Sequence, residues 1–302
     1  MTTETYHIPV MLNECIDNLD IKPDGIYVDL TMGGGGHTRA ILERLGPEGH
    51  LYSFDQDPDA ERNAPDDERH TFVASNFRFM RAALRLRGVE GVDGILADLG
   101  VSSHHFDAKH RGFSFRGDAP LDMRMNTRGG RTAADIINSY DKEALARIFA
   151  EYGELETTWK IANCIERTRS EKAITTTAEL VEAIKPCTPP KDEAKFLTKL
   201  FQALRIELNG EMEALKMSLE QSLKVLNPGG RLVIMSYHSL EDRIVKNFMR
   251  SGNTEGRIER DFYGRTNTPL KVITRKAIVP TDEEVDTNPR SRSAKLRVAE
   301  RL

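Results

Sequence analysis

A run of four glycines between a short apolar segment and a helical pattern constrains this chain more than any other feature. The apolar segment 26–30 precedes the glycines at 33–36, and an amphipathic pattern at 40–45 follows them. Strand, glycine loop and helix in this order are typical of the first turn of a nucleotide-binding α/β domain. Glycine lets the backbone turn sharply and approach a ligand closely, while the N-terminus of the helix adds N–H donors.

An acidic residue follows the loop at the distance typical of adenosine-binding proteins. Asp55 ends the segment 51–54, about 20 residues after the glycines, where a carboxylate can accept hydrogen bonds from both ribose hydroxyls. A phosphate loop would need Lys with Ser or Thr after the last glycine, and a dinucleotide loop would need glycine where Thr38 stands. Asp29 favours S-adenosylmethionine instead, because this cofactor carries cationic sulfonium and ammonium groups and no phosphate.

Length and composition are those of an ordinary globular protein. With 302 residues, 39% hydrophobic and 30% charged, the chain suits one large domain or a domain that carries another. No apolar run is long enough to span a bilayer and the N-terminus has no signal-peptide pattern, which predicts a cytoplasmic protein without a membrane partner. Cys15, Cys164 and Cys187 are odd in number and scattered, so they indicate neither a disulfide framework nor a metal site.

The net charge of −4 is unevenly distributed along the chain. Residues 231–302 hold 15 Lys and Arg against 10 Asp and Glu, and residues 109–131 hold six Lys and Arg against two acids. Two basic segments on an acidic protein are typical of a localised anionic partner such as RNA. An ordinary solvated surface explains the charges equally well.

Seven short apolar runs along the chain are typical of buried strands. They lie at residues 26–30, 51–54, 71–73, 92–97, 231–235, 270–274 and 294–298. A helical face with apolar residues at 212, 215, 219, 223 and 226 precedes the fifth run. We therefore predict an α/β fold with a Rossmann-like, seven-stranded sheet.

The interval between the fourth and fifth runs holds about 130 residues, where one crossover helix would suffice. Apolar residues at 145, 148, 149 and 152 and a capping box at 176–179 indicate helices there. We predict a helical substrate-recognition domain at 106–203, inserted between the two parts of a sheet domain, 1–105 and 204–302. The insertion would emerge beside the carboxyl ends of the strands, where open α/β sheets bind ligands.

Several motifs together match one family. They are YHIPVML at 6–12, DLTMGGGGH at 29–37, DQDP at 55–58, DLGVSS at 98–103, RGFSF at 111–115, PLDMRM at 120–125, SYHSLEDR at 236–243 and NPRSRSAKLR at 288–297. With these motifs the chain resembles, over nearly its whole length, the RsmH (MraW) methyltransferases, which methylate N4 of a cytidine in the decoding region of bacterial 16S ribosomal RNA. The resemblance implies a class I S-adenosylmethionine-dependent methyltransferase fold with an inserted helical domain, and 16S ribosomal RNA in the small subunit as partner.

The resemblance also implies which residues hold the cofactor. They are Gly35, Gly36, His37, Asp55, Phe77, Asp98 and His105. Backbone N–H groups of the glycine loop suit the methionine carboxylate, Phe77 suits stacking on adenine, and Asp98 ends the fourth strand near the amino-acid part. His105 stands where the family usually carries glutamine; histidine can still donate a hydrogen bond, but its charge varies near neutral pH.

Catalytic and RNA-binding candidates follow from chemistry. The chain lacks the Asp/Asn-Pro-Pro-aromatic motif of many amino methyltransferases, and Asp98 stands at the corresponding strand end, so Asp98 is the first candidate for orienting the amine. Tyr237 or His238 can stack on an extruded base or help to move the proton, whereas a turn that caps the next helix is the structural alternative. Arginines expected at RNA phosphates are Arg111, Arg116, Arg124, Arg243, Arg290 and Arg292, and Asp122 can pair with one of them.

Two other functions remain open at this point. A ribosome assembly factor would bind S-adenosylmethionine chiefly as a structural ligand, although the intact loop with Asp55 and Asp98 argues against lost catalysis. A nicotinamide-dependent oxidoreductase would share the fold, but the missing third glycine disfavours it. The sequence does not decide between a monomer and a homodimer.

Overall fold

The chain divides into two compact units in the computed structural model, which describes residues 9–102, 108–258, 263 and 268–302. We call Met1–Gly100 with Met212–Leu302 the sheet unit, and Val101–Glu211 the insert unit. The predicted insertion, 106–203, falls within the insert unit, but its expected end lies inside a helix that continues to residue 209.

The sheet unit contains, within the described residues, a seven-stranded sheet with the order β3-β2-β1-β4-β5-β7-β6. The strands are β1 (Ile26–Asp29), β2 (His50–Asp55), β3 (His70–Ala74), β4 (Val92–Asp98), β5 (Leu226–Ser236), β6 (Leu270–Val272) and β7 (Lys295–Arg301). Strands β1 to β5 pair in parallel, whereas β7 is antiparallel to both β5 and β6. The predicted α/β fold with seven strands is confirmed.

Helices cover the sheet and build the insert unit. In chain order they are α1 (Leu12–Leu19), α2 (Gly36–Arg44), α3 (Met80–Arg85), α4 (Ala133–Ser139), α5 (Lys142–Glu151), α6 (Thr158–Glu171), α7 (Thr177–Ile184), α8 (Glu193–Asn209), α9 (Glu211–Val225), α10 (Ser239–Ser251) and α11 (Asp282–Thr287). Helices α4 to α8 lie in the insert unit. In the part of the chain that the structure describes, no helix is long and apolar enough to cross a membrane.

Successive side chains of a strand point to opposite faces of the sheet, and both faces of this sheet are buried. In β1, Val28 packs in a cluster that includes Leu219 of α9, whereas its neighbour Tyr27 packs in a second cluster with Ile41 of α2. Complete burial of such side chains contributes roughly 1.5–3 kcal/mol each. The covered faces leave the ends of the strands as the place for a ligand.

The insert unit has its own apolar core. Ile136 of α4, Phe149 of α5, Ile161 of α6 and Leu200 of α8 are buried in one cluster. The capping box predicted from the sequence is confirmed at α7, where the Thr176 side chain accepts from the backbone N–H of Glu179 and the Glu179 side chain accepts from that of Thr176. The helices expected in this part of the chain are therefore present, and they pack on one another.

Candidate cofactor and catalytic site

The cofactor residues expected in the sheet unit gather at the carboxyl ends of the parallel strands. Asp29, Asp55 and Asp98 are the last residues of β1, β2 and β4, and Phe77 follows β3. In the strand order the winding of the chain reverses between β1 and β4. Open α/β sheets bind ligands in the crevice at such a switch point.

Two glycines of the loop have backbone conformations that other residues rarely adopt. Gly33 and Gly35 have φ of 49° and 75°, in the left-handed region. Gly36 is required for another reason, since a Cβ there would lie 2.1 Å from Cγ of Pro9. Helix α2 begins at Gly36, so the first N–H groups of the helix have no acceptor within it and suit a carboxylate ligand.

The carboxylate of Asp55 supports this loop. Its Oδ2 accepts from the N–H of Gly33 at 2.8 Å, and its Oδ1 accepts from the N–H of Asp57 at 2.8 Å. Each carboxylate oxygen can accept a second hydrogen bond. Asp55 thus holds the loop, and its carboxylate is of the kind that accepts hydrogen bonds from the hydroxyls of a ribose.

Asp29 is buried and supports the glycine loop. Its side chain is 1% exposed, and it accepts hydrogen bonds from the N–H of Thr31 at 3.0 Å and from Oγ1 of Thr38 at 2.7 Å. Burial raises the pKa of Asp29 to about 6, against the effect of these two hydrogen bonds. Asp29 thus organises the loop from beneath, and its attraction of a cationic cofactor stays a prediction.

Asp98 and Tyr237 form a pair at the ends of β4 and β5. The hydroxyl of Tyr237 donates to Oδ1 of Asp98 at 2.7 Å, and the N–H of Asp98 donates to Oγ1 of Thr31 at 2.7 Å. Burial raises the pKa of Asp98 to about 7, assisted by the charges of Asp29 and Glu241 and opposed by the Tyr237 hydrogen bond. Asp98 is therefore poised to take up or release a proton near neutral pH.

His37 is neutral at pH 7. Its side chain is buried, and this burial lowers the pKa of the imidazole to about 4. Its Nδ1 lies 3.9 Å from Oδ2 of Asp98, beyond hydrogen-bonding distance, and its Nε2 has no hydrogen-bond partner within the described part of the chain. A neutral ring, unlike a charged one, does not repel a ligand that carries a cationic sulfonium.

His238 caps a helix in this structure. It is the N-cap of α10, where its Nδ1 accepts from the N–H of Glu241 at 3.4 Å and the Glu241 side chain accepts from the N–H groups of Tyr237 and His238. This is the capping alternative that the sequence left open. A catalytic role for His238 stays a prediction without support from this geometry, and Tyr237 is the neighbour that contacts Asp98.

Phe77 lies directly beyond β3, half-buried against the core of the sheet unit. Asn76 holds this turn, since its Oδ1 accepts from the N–H of Arg78 at 2.9 Å and its Nδ2 donates to Oε1 of Gln56 at 2.7 Å. The turn is thereby linked to the residue that follows Asp55. His105 lies outside the described residues, so its contact with a cofactor stays a prediction.

The six arginines expected at phosphates are not equivalent. Arg111 is 4% exposed, and its Nη2 donates to the carbonyl oxygens of Arg124 and Met125, which argues against a phosphate contact. The guanidinium of Arg124 forms two hydrogen bonds with Asp122, at 2.8 and 2.7 Å, as expected for an acid that pairs with an arginine. The exposed members of the set are Arg116, Arg243, Arg290 and Arg292.

Comparisons with known proteins show the family of this chain. The model of the MraW methylase family matches residues 4–302. Ribosomal RNA small subunit methyltransferase H of Parabacteroides distasonis is 61% identical over 298 residues, which are 98% of each chain, and that of Phocaeicola vulgatus is 59% identical over 99% of this chain and 98% of its own. Among solved structures, an rRNA methylase from Streptococcus thermophilus is 13% identical with a TM-score of 0.43, covering 96% of this chain and 93% of that one.

The residues at the strand ends fit S-adenosylmethionine. The N-terminus of α2 suits its carboxylate, Asp55 its ribose, and neutral His37 its cationic sulfur. The sheet order and the family match agree with the fold class expected from the resemblance. The chain belongs to the MraW methylase family and is a class I methyltransferase that uses S-adenosylmethionine.

Proposed function

We propose that this enzyme methylates the N4 amine of one cytidine in the decoding region (P site) of 16S ribosomal RNA, in the small subunit. The names of relatives that are 59–61% identical over nearly the whole chain support a small-subunit ribosomal RNA substrate. The observation that carries the chemistry is the Asp98–Tyr237 pair, with a carboxyl pKa of about 7 at the end of β4. A group of this kind suits removal of a proton from an amine.

The cofactor would be held by residues of the sheet unit. The N–H groups at Gly36 and His37 bind the methionine carboxylate, Asp55 accepts from the ribose hydroxyls, and Phe77 stacks on adenine. Gly35 allows the turn that brings these donors together. When bound, S-adenosylmethionine supplies an electrophilic methyl group on a cationic sulfur.

The target amine is a weak nucleophile, because its lone pair is delocalised into the cytosine ring. Oδ2 of Asp98 would accept a hydrogen bond from this amine and so direct the lone pair. As the new N–C bond forms, the amine must lose a proton, and Asp98 takes it at Oδ2. The hydroxyl of Tyr237 holds Oδ1 meanwhile, which fixes the orientation of the carboxylate.

The RNA would present this cytidine unpaired or extruded, since base pairing hides the N4 edge. Exposed arginines in both units are the candidates for phosphate contacts. They are Arg116 in the insert unit, and Arg243, Arg290 and Arg292 in the sheet unit. Such contacts position the RNA and carry no sequence information. Selection of the cytidine therefore depends on the residues around Asp98 and on the shape of the substrate.

Methyl transfer to small subunits tests the proposal. Subunits from a strain that lacks this protein are incubated with enzyme and labelled S-adenosylmethionine, and ribosomal RNA nucleosides are analysed by mass spectrometry. We expect N4-methylcytidine at a single position, and a loss of at least tenfold in rate for Asp98→Asn, with Asp66→Asn at an exposed site as control. Label on another atom would overturn the proposed substrate. Tight cofactor binding without transfer would favour the assembly-factor alternative.

A further inference from the structure

Two cysteines that are distant in sequence meet in the insert unit. Cys164 lies in α6 and Cys187 is the last residue of the short 3-10 turn Lys185–Cys187. Their Sγ atoms are 2.9 Å apart, although the residues are 23 positions apart along the chain. Both side chains are half-buried and reduced. A disulfide bond is about 2.05 Å long, so the sulfurs need to approach each other by less than about 1 Å to form one.

The surroundings of the pair suit thiol chemistry. Burial and the neighbouring thiol of Cys164 raise the pKa of Cys187 to about 12, while the charges of Lys160 and Arg167 act in the opposite direction. Cys187 therefore keeps its proton at neutral pH. Nearby cations favour a thiolate, which is the nucleophile in disulfide exchange.

We propose that Cys164 and Cys187 are an oxidation site that closes reversibly to a disulfide, with a small disulfide such as oxidised glutathione as the oxidant. The Cys164 thiolate attacks one sulfur of the oxidant, which forms a mixed disulfide and releases one glutathione thiolate. Cys187 then attacks Sγ of Cys164 and releases the second glutathione. The protein loses two electrons and two protons, and the two electrons reduce oxidised glutathione to two thiols.

The bond would form next to a groove of the insert unit. The lining of this groove includes Arg167 and Thr168, which follow Cys164 in α6, and Lys185 and Pro186, which precede Cys187. Closing the bond ties α6 to the 3-10 turn and restricts the unfolded chain between the two residues. The oxidised protein is therefore expected to be more stable than the reduced protein.

Thiol counting and mass spectrometry on the full-length folded protein test this proposal. In oxidised glutathione we expect the wild type to lose two of its three thiols, to become lighter by two hydrogens, and to yield a linked peptide pair containing Cys164 and Cys187; a reductant restores all three thiols. Cys187→Ser should instead accumulate one glutathione adduct at Cys164. Cys15→Ser should behave as the wild type does, because Cys15 is fully buried and burial raises the pKa of its thiol.

Thermal unfolding supplies the second readout. Oxidation should raise the melting temperature of the wild type and should not raise that of Cys164→Ser or Cys187→Ser. Three results would overturn the proposal: a stable glutathione adduct on the wild type, a linkage that involves Cys15, or three unreacted thiols under conditions in which the denatured protein reacts.

Discussion

At the residue scale, carboxylates at equivalent strand ends do different work because their neighbours differ. Asp29 is buried beneath the loop and accepts from Thr31 and Thr38, whereas Asp55 accepts from the backbone of Gly33 in the loop and of Asp57. Asp98 meets the hydroxyl of Tyr237, and its pKa is raised to about 7. The position at the end of a strand brings each acid to the site, and its hydrogen-bond partners decide its role.

Removal of the Asp55 carboxylate should weaken cofactor binding. Asp55→Ala loses the acceptors for ribose and one support of Gly33. Loss of such hydrogen bonds costs about 1–3 kcal/mol, which is roughly a ten- to hundredfold loss in affinity for S-adenosylmethionine by calorimetry. Asp66→Ala, at an exposed position in the same part of the chain, is the control. Unchanged affinity in Asp55→Ala would remove this residue from the site.

The pH dependence of methyl transfer should report Asp98. Because Asp98 acts as a carboxylate, kcat/KM should rise with pH through about 7. The Tyr237 hydrogen bond favours the charged form, so Tyr237→Phe raises the pKa of Asp98 and moves the profile to higher pH. A hydrogen bond to a charged group is worth about 1.5–3 kcal/mol, which corresponds to a shift of about 1–2 pH units.

A matched variant controls this prediction. The hydroxyl of Tyr140 also donates to a carboxylate, Oε1 of Glu207, at 2.8 Å in the insert unit. Tyr140→Phe removes a similar hydrogen bond that does not involve Asp98, and it should leave the pH profile in place. An unshifted profile in Tyr237→Phe would show that Asp98 does not titrate in the reaction.

At the scale of elements, the glycine loop is held by contacts on several sides. Asp55 accepts from the N–H of Gly33, Asn63 donates to the carbonyl of Gly33, and Nη1 of Arg39 donates to the carbonyl of Gly34 at 2.9 Å. The start of α2 is therefore held in position before a ligand arrives. Such preorganisation lowers the entropy that binding must overcome.

Two glycines of this loop should respond differently to alanine. Gly36→Ala places a Cβ 2.1 Å from the ring of Pro9, so the N-terminal segment or the start of α2 must move, at a cost of about 1–3 kcal/mol. Gly34→Ala meets nothing within 4 Å and is the matched control. We expect a lower melting temperature and weaker cofactor binding for Gly36→Ala alone. Equal effects of the two variants would contradict the steric argument.

At the scale of the whole molecule, each of the two units has its own core. Tyr27 and Val28 lie in the clusters of the sheet unit, and Phe149 lies in that of the insert unit. The cofactor residues that the structure describes all belong to the sheet unit. We expect that the sheet unit alone governs cofactor affinity, whereas RNA affinity depends on charges spread along the chain.

The salt dependence of subunit binding should test two of these charges. Arg290 and Arg292 are exposed in the turn that precedes β7. If each contacts a phosphate, their double replacement by alanine weakens binding and lowers the slope of log affinity against log salt by about 1–2, since fewer counterions are released. Arg85→Ala on α3 is the control, and cofactor affinity should not change in either variant. An unchanged slope would assign Arg290 and Arg292 a structural role.

The substrate should be a folded or assembled RNA. The length of the insert unit and the dispersed exposed arginines indicate a contact surface much larger than one nucleotide. We therefore expect transfer to small subunits to exceed transfer to a short oligonucleotide of the same sequence by at least a hundredfold in kcat/KM. Comparable rates on both substrates would show that the residues around the target base suffice for recognition.

Local patterns of the sequence determined the elements of this protein. The seven apolar runs correspond to the seven strands, and the capping box predicted at Thr176 is present. The last glycine of the loop is the first residue of α2, as expected. These features could be predicted because hydrophobic period, turn residues and caps act over a few positions of the backbone. The spacing from the glycine loop to Asp55 could also be predicted, because both belong to one βαβ unit.

Only the tertiary structure decided which side chains meet. Tyr237 reaches Asp98 across 139 positions, and Cys164 reaches Cys187 across 23, so no sequence spacing reveals either pair. The burial of Asp29 and Arg111 was equally hidden, because a charged residue is expected at the surface until its partners are known. Such contacts arise from the packing of whole elements, and burial and charge at those contacts then set each pKa.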